Sequence, residues 1–190
     1  MGLLGWLRGF WQRDAIPPPA ADMLGAATLP SVAIKPGLID TRGGPVPESA
    51  VDLVKKWEGF RSKPYRCPAG VPTIGFGATR YTDGEAVSMD DEPISKEAAM
   101  GLLRATIAKF AADVDRLVTV PLKRHERAAL ISFTFNLGPG ALRQSTLLKK
   151  LNAGDRAGAA AEFQRWNRAG SSILEGLTRR RAEEEVMFRG

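Results

Sequence analysis

From Pro47 onward, the apolar positions of this 190-residue chain fall into runs whose period changes along the sequence. Val51, Val54, Lys55 and Glu58 trace successive turns of one short helix, and Pro47, Glu48 and Ser49 supply its start. The pattern then switches to short strands at 64–66 and 73–77, around turn chemistry at Cys67-Pro68-Ala69-Gly70. Glycines at 70, 75 and 77 let such a ribbon bend sharply and admit a closely approaching ligand. From Ser95 onward the pattern is almost wholly helical. Ser95 reads as the N-cap of a helix reaching roughly Leu117, with an acidic first turn. A second helix runs from about Lys123 to Leu137, where Gly138-Pro139-Gly140 breaks it. Shorter helices are expected near 145–152, 155–164 and 175–188, with a turn at Asn152-Ala153-Gly154-Asp155. The expected fold is α+β and mainly helical, without internal repeats.

The first 48 residues are different. Leu3, Leu4, Leu7 and Trp11 share one helical face, with Trp6 and Phe10 beside them and Arg8 and Arg13 nearby. Two readings fit: a short helix lying in a membrane interface, or one packed on its own domain or a partner. The segment lacks the apolar core and cleavage site of a secretory signal. No run of about 18 apolar residues occurs, so a membrane-spanning helix is not expected. Residues 15–48 are rich in Pro, Ala and Gly and read as a linker or a segment draped over the domain. The expected organisation is therefore an appendage over 1–48 and one globular domain over 49–190.

Composition changes this picture mainly by elimination. Residues 1–118 carry 14 basic and 14 acidic side chains, and residues 119–190 carry 13 and 7, so the whole net charge of +6 lies in the C-terminal part. That asymmetry suits a polyanionic partner such as nucleic acid, anionic lipid or an acidic cell wall; a solvated basic surface is the alternative. The single cysteine, Cys67, excludes an internal disulfide. The single histidine, His125, excludes multi-histidine metal sites and leaves little room for a Ser/His/Asp hydrolase. It begins a charged helix and reads as a surface residue. Hydrolytic chemistry here must lean on carboxylates.

The candidate chemistry lies in residues 57–77, WEGFRSKPYRCPAGVPTIGFG. Glu58 closes a helix between Trp57 and Phe60, and the hairpin brings Cys67 and Thr73 back toward it. A carboxyl in an apolar setting is desolvated and holds its proton more tightly, as protonation of a glycosidic oxygen requires. Taken alone this is a weak signal, since most helix-ending glutamates are solvated. The spacing Glu58-x8-Cys67-x5-Thr73, however, resembles the catalytic triad of the phage-type lysozymes, glycoside hydrolase family 24. Tyr65 and the Thr-Ile-Gly-Phe-Gly of 73–77 match the same pattern. So do a second block over 129–155 and a third containing EFQRWNRAG and LEGLTRRRAEEEVMF. The resemblance covers residues 50–188 and does not reach 1–48.

This resemblance implies a lysozyme-like fold, with a small β-hairpin lobe, a larger helical lobe and a cleft between them. It implies Glu58 as general acid and Thr73 as the residue that positions or helps activate water. Better-known members have aspartate where this chain has Cys67, and a branch of the family has cysteine. A thiolate aiding water attack with inversion, a covalent nucleophile and a buried packing residue all remain open for Cys67. Asn136 is implied to reach the sugar, or else caps the turn at Gly138. Arg180 and Arg181 match a basic pair near the cleft, one of which steadies the glutamate by charge; a solvated helix face competes for at least one. Trp166 is expected in the helical core.

The implied activity is hydrolysis of the β-1,4 bond between N-acetylmuramic acid and N-acetylglucosamine in peptidoglycan. It requires no metal or organic cofactor and is expected of a monomer. The basic C-terminal part would favour the anionic envelope, in a salt-sensitive way. Lytic transglycosylation, with a 1,6-anhydro product, needs the same acid. A non-catalytic wall- or membrane-binding protein on the same scaffold is a further rival, although it would have no use for both Glu58 and Thr73. Nucleic-acid binding lacks a motif. Residues 1–48 are compatible with a cytoplasmic endolysin awaiting a membrane pore, a tethered enzyme or a virion-borne one, and the first is favoured.

Overall fold

The computed structural model describes residues 40–67 and 69–190. The amphipathic reading of the N-terminal residues therefore lies outside the described part. Helix α1 (Glu48–Glu58) leads into an antiparallel hairpin, β1 (Arg61–Arg66) and β2 (Pro72–Gly75), followed by α2 (Lys96–Leu117) and α3 (Arg124–Leu137). After these come α4 (Pro139–Gln144), α5 (Thr146–Asn152), α6 (Arg156–Glu162), a 3-10 turn, a second small hairpin of β3 (Arg168–Ala169) and β4 (Ser172–Ile173), and α7 (Glu175–Arg189). The α+β expectation, mainly helical with a small β lobe, holds.

Helix α3 is the spine. Its residues from Glu126 to Leu137 are all buried, so it has no solvated face. Phe133 meets Phe163 and Trp166 edge to face, and Phe135 meets Phe110 of α2 in the same way. Trp166 belongs to this core, as expected. Helices α1, α2 and α7 pack around the spine, and each presents one end or face to the site described below.

The start of α2 follows the sequence closely: Ser95 Oγ accepts from the Ala98 amide and caps it. The Gly138-Pro139-Gly140 break does more than end α3. Gly138 has φ +86°, which stops that helix, and Pro139 at once opens α4 as a first-turn proline. Residues 168–173, unassigned from sequence, form the second hairpin. His125 is a correction: rather than lying free on the surface it is half-buried, with Nδ1 3.2 and 3.1 Å from the carbonyls of Met187 and Phe188 at the end of α7.

Residues 40–47 lie against the corner between α2 and α3. The Thr41 amide and hydroxyl both donate to the Leu122 carbonyl, at 3.0 Å each. Arg42 donates to the Val118 carbonyl at 2.8 Å, and Arg127 Nη1 reaches back to the Pro45 carbonyl at 2.8 Å.

Candidate active site

Glu58 is the last residue of α1, and Gly59 ends that helix with φ +69°. Its carboxylate side chain is 3% exposed, and Oε1 accepts a 2.9 Å bond from Nη1 of Arg180 on α7. The other oxygen, Oε2, faces Gly77, where even a Cβ would stand 3.6 Å away. Glycine at 77, with φ +89°, brings the backbone close to the carboxylate.

The apolar setting expected for Glu58 needs correcting. Successive helix positions point about 100° apart, so the flanking aromatics turn elsewhere. Trp57 donates from Nε1 to Glu183 and packs by Leu177, whereas Phe60 packs on Phe76. What faces the carboxylate is a guanidinium.

The hairpin sets Cys67 and Thr73 side by side. Tyr65 pairs with Thr73, and the Cys67 amide donates to the Val71 carbonyl at 3.0 Å. Because side chains alternate along a strand, positions two apart share a face, so Cys67, Val71 and Thr73 all line one wall of a cavity of about 540 Å³. Glu58 lines the same cavity, and Leu102, Thr106 and Phe110 of α2 form another part of its wall. Cys67 and Thr73 are both buried. The Thr73 hydroxyl donates to the Val71 carbonyl at 2.9 Å. With its proton so engaged, its oxygen is left to accept a hydrogen bond from a water or a substrate hydroxyl. Tyr81 borders the cavity, but its O–H is committed to Asp91 at 2.8 Å; burial, reinforced by that carboxylate, pushes its pKa up to about 12.

Asn136, Arg180 and Arg181 lie behind the cavity, not on its wall. All three are essentially fully buried, so neither arginine lies on a solvated helix face. Arg180 Nε donates to Glu184 Oε1 at 3.1 Å and its Nη2 to the Ser132 carbonyl at 3.2 Å. Arg181 Nη2 donates to Glu184 Oε1 and Asn136 Oδ1, both at 3.0 Å, and its guanidinium stands 5.1 Å over the Phe133 ring. Ser132 Oγ donates to Glu184 Oε1 at 2.7 Å. Burial pushes the Arg181 guanidinium down to about 10, against the pull of Glu184 and with the help of Arg180; it stays charged through the neutral range. Asn136 caps nothing at Gly138, since the Gly138 amide donates to the Thr134 carbonyl as the helix pattern requires. Sequence reasoning missed Glu184 and Ser132. The available signal was their position: a serine inside an otherwise apolar helix, and a glutamate one turn after a paired arginine.

A buried carboxyl open to a sugar-sized cavity, facing a hydroxyl and a thiol, is equipped for proton transfer and water placement. No cluster of metal-ligating side chains occurs among the described residues. The arrangement suits chemistry carried by a carboxylate. The phage lysozyme family model matches residues 55–184, and the chain belongs to that family, the lysozyme-type glycoside hydrolases that include the endolysins. Over 147 residues it is 39% identical to an endolysin of Acyrthosiphon pisum secondary endosymbiont phage 1, covering 75% of this chain and 97% of the relative. It is 37% identical over 143 residues to an endolysin of Bacillus phage B103, covering 75% of this chain. The match takes in 53% of that relative, so the chain spans about half its length. A solved structure of P22 lysozyme superposes with a TM-score of 0.70 at 32% identity, covering 77% of this chain and 99% of the other.

Proposed function

We propose that the protein is an endolysin that hydrolyses the β-1,4 bond between N-acetylmuramic acid and N-acetylglucosamine in peptidoglycan, with Glu58 as general acid. The observation that carries this reading is the shared cavity: Glu58, Cys67 and Thr73 line it together. Arg180 occupies Oε1 as a donor, so the transferable proton belongs on Oε2, the oxygen facing Gly77. Protonating the glycosidic oxygen from there lets the bond break while positive charge develops at the anomeric carbon. Thr73 Oγ1, its own proton committed to Val71, accepts from the attacking water and orients it. Cys67 is the second group on that wall and takes part in holding or deprotonating the water, which arrives on the side of the sugar away from Glu58 and inverts the centre.

Cys67→Ser is expected to lower kcat on the order of a hundredfold, the usual weight of a group that assists proton transfer. A near-parental rate, measured on purified peptidoglycan, would return Cys67 to a packing role. The reading as a whole is tested by mass analysis of the released fragments. New reducing N-acetylmuramic acid ends support it; 1,6-anhydro ends mean transglycosylation, and no release from folded protein means a binding scaffold.

The enzyme is proposed to wait in the host cytoplasm, as a monomer, until it is released to the wall. No helix among the described residues is long and apolar enough to cross a membrane. Residues 49–190 are the proposed catalytic unit. The N-terminal segment is tested by deleting residues 1–39, which spares the segment pinned at Thr41 and Arg42. The truncated and full-length proteins should partition alike on anionic vesicles; selective binding by the full chain would favour a tethered enzyme.

A further inference from the structure

The guanidinium that holds Glu58 is itself held. Arg180 donates by Nη1 to Glu58 at 2.9 Å and by Nε to Glu184 at 3.1 Å, so one planar group joins the two carboxylates. Glu184 is completely buried, and Ser132 Oγ and Arg181 Nη2 also donate to its Oε1. Arg181 Nε lies 2.9 Å from Glu184 Oε2. The cluster thus contains two guanidiniums and two carboxylates. With Glu58 ionised its formal charge is zero. With Glu58 carrying the proton that the reaction needs, Glu184 is the one carboxylate left to balance two buried cations. Isolated buried charge is costly, so this balance bears directly on whether the protonated acid can form.

We infer that Glu184 is a positioning residue for the proposed reaction: it fixes Arg180 against Glu58 and supplies the negative charge that lets Glu58 take up its proton beside two arginines. The inference rests on Glu58 being the acid. Several of the other charged or titratable groups around Glu58 already have partners. On α1, Lys55 pairs with Asp52 and Lys56 with Glu183. On the hairpin side Cys67 shares the cavity, whose lining also includes Arg80, Tyr81, Lys109 and Asp113; Tyr81 is bonded to Asp91 and Asp113 is paired with Arg116. From α3, Ser132 and Asn136 contribute only neutral groups.

The test is the pH profile of kcat/KM on purified peptidoglycan, using the full chain. In Glu184→Gln, two guanidiniums face one carboxylate, so ionisation of Glu58 should set in at lower pH than in the parent. The alkaline limb should move down on the order of one pH unit, the scale of a unit charge a few ångströms away in a partly buried site. Arg181→Gln removes a cation and should move the same limb up. The double variant should return it toward the parent position, and Glu184→Asp, which keeps the charge, should stay close to it. Near-ultraviolet circular dichroism establishes that each variant is folded. If Glu184→Gln does not fold, the limb of the double variant against that of Arg181→Gln alone reads the charge of Glu184: a downward difference supports the inference and no difference overturns it. Variants that lose rate or thermal stability while their limbs stay fixed would overturn the inference, because a merely structural role predicts that. An inactive parent protein would instead defeat the muramidase reading, so the two failures are distinct.

Discussion

Glu58→Gln will stop turnover and leave the fold in place. Glutamine offers an amide oxygen where the carboxylate Oε1 stood, so Arg180 Nη1 keeps an acceptor at the 2.9 Å position. What disappears is the proton on the oxygen facing the cavity, which an amide cannot supply at neutral pH. General acid catalysis contributes about 10²–10⁴-fold to a rate, and loss within or beyond that range is expected in kcat on purified peptidoglycan. Circular dichroism should stay close to the parent spectrum, while the urea midpoint falls, because Glu184 alone is left to balance two buried guanidiniums. A folded Glu58→Gln variant that kept a substantial part of the parental activity would remove Glu58 from the mechanism.

Arg180→Met will be the most destabilising single change among the residues discussed. The methionine leaves Glu58 without its ion pair and Glu184 with one fewer cation, while Ser132 loses a donor to its carbonyl. Breaking one side of a buried pair typically costs about 3–5 kcal/mol, because the abandoned charge stays out of water. For a domain of this size that corresponds to a fall in Tm of roughly 10 °C. Urea unfolding followed by tryptophan fluorescence measures it. A loss under about 1 kcal/mol would mean that water reaches the cluster and the arginine is no keystone. Activity should fall as well, since Glu58 loses the contact that holds Oε1.

The contrast between these two residues shows what the sequence could and could not reveal. Glu58, Cys67 and Thr73 lie within one helix end and one hairpin, so a local spacing sufficed to single them out. The partnership of Glu58 with Arg180 spans 122 positions, so no local pattern encodes it, and only the family resemblance pointed to one of the two arginines as its partner. Charged residues are by default solvated, so on α7, with Glu and Arg at most of its positions, a solvated face competed for at least one of the two arginines. The helix is instead drawn inward by α3, whose Ser132 and Asn136 require polar partners in a core that has no water-facing side. The same burial explains why Glu58 was expected among aromatics: the nearest residues in sequence were apolar, whereas the nearest in space is a cation.

Secondary structure was legible where a cap or a period announced it. Ser95 bonding to the Ala98 amide fixes the start of α2, and Gly138 ends α3 where a helix breaker was expected. The pieces that escaped were too short for a period to show. Helix α4 has six residues, and its start is hidden in the signal that ends α3. The strands β3 and β4 have two residues each, which leaves the turn at Gly170 and Ser171 as the one local cue.

In the proposed reaction Glu58 protonates the glycosidic oxygen while water, held at Thr73 and Cys67, attacks the anomeric carbon. Digesting purified peptidoglycan in heavy-oxygen water and analysing the fragments by mass spectrometry tests it most directly. Every cleavage product should carry one heavy oxygen at the new reducing end of N-acetylmuramic acid, and Glu58→Gln should yield no products. Unlabelled 1,6-anhydro ends, or cleavage that survives Glu58→Gln, would contradict it.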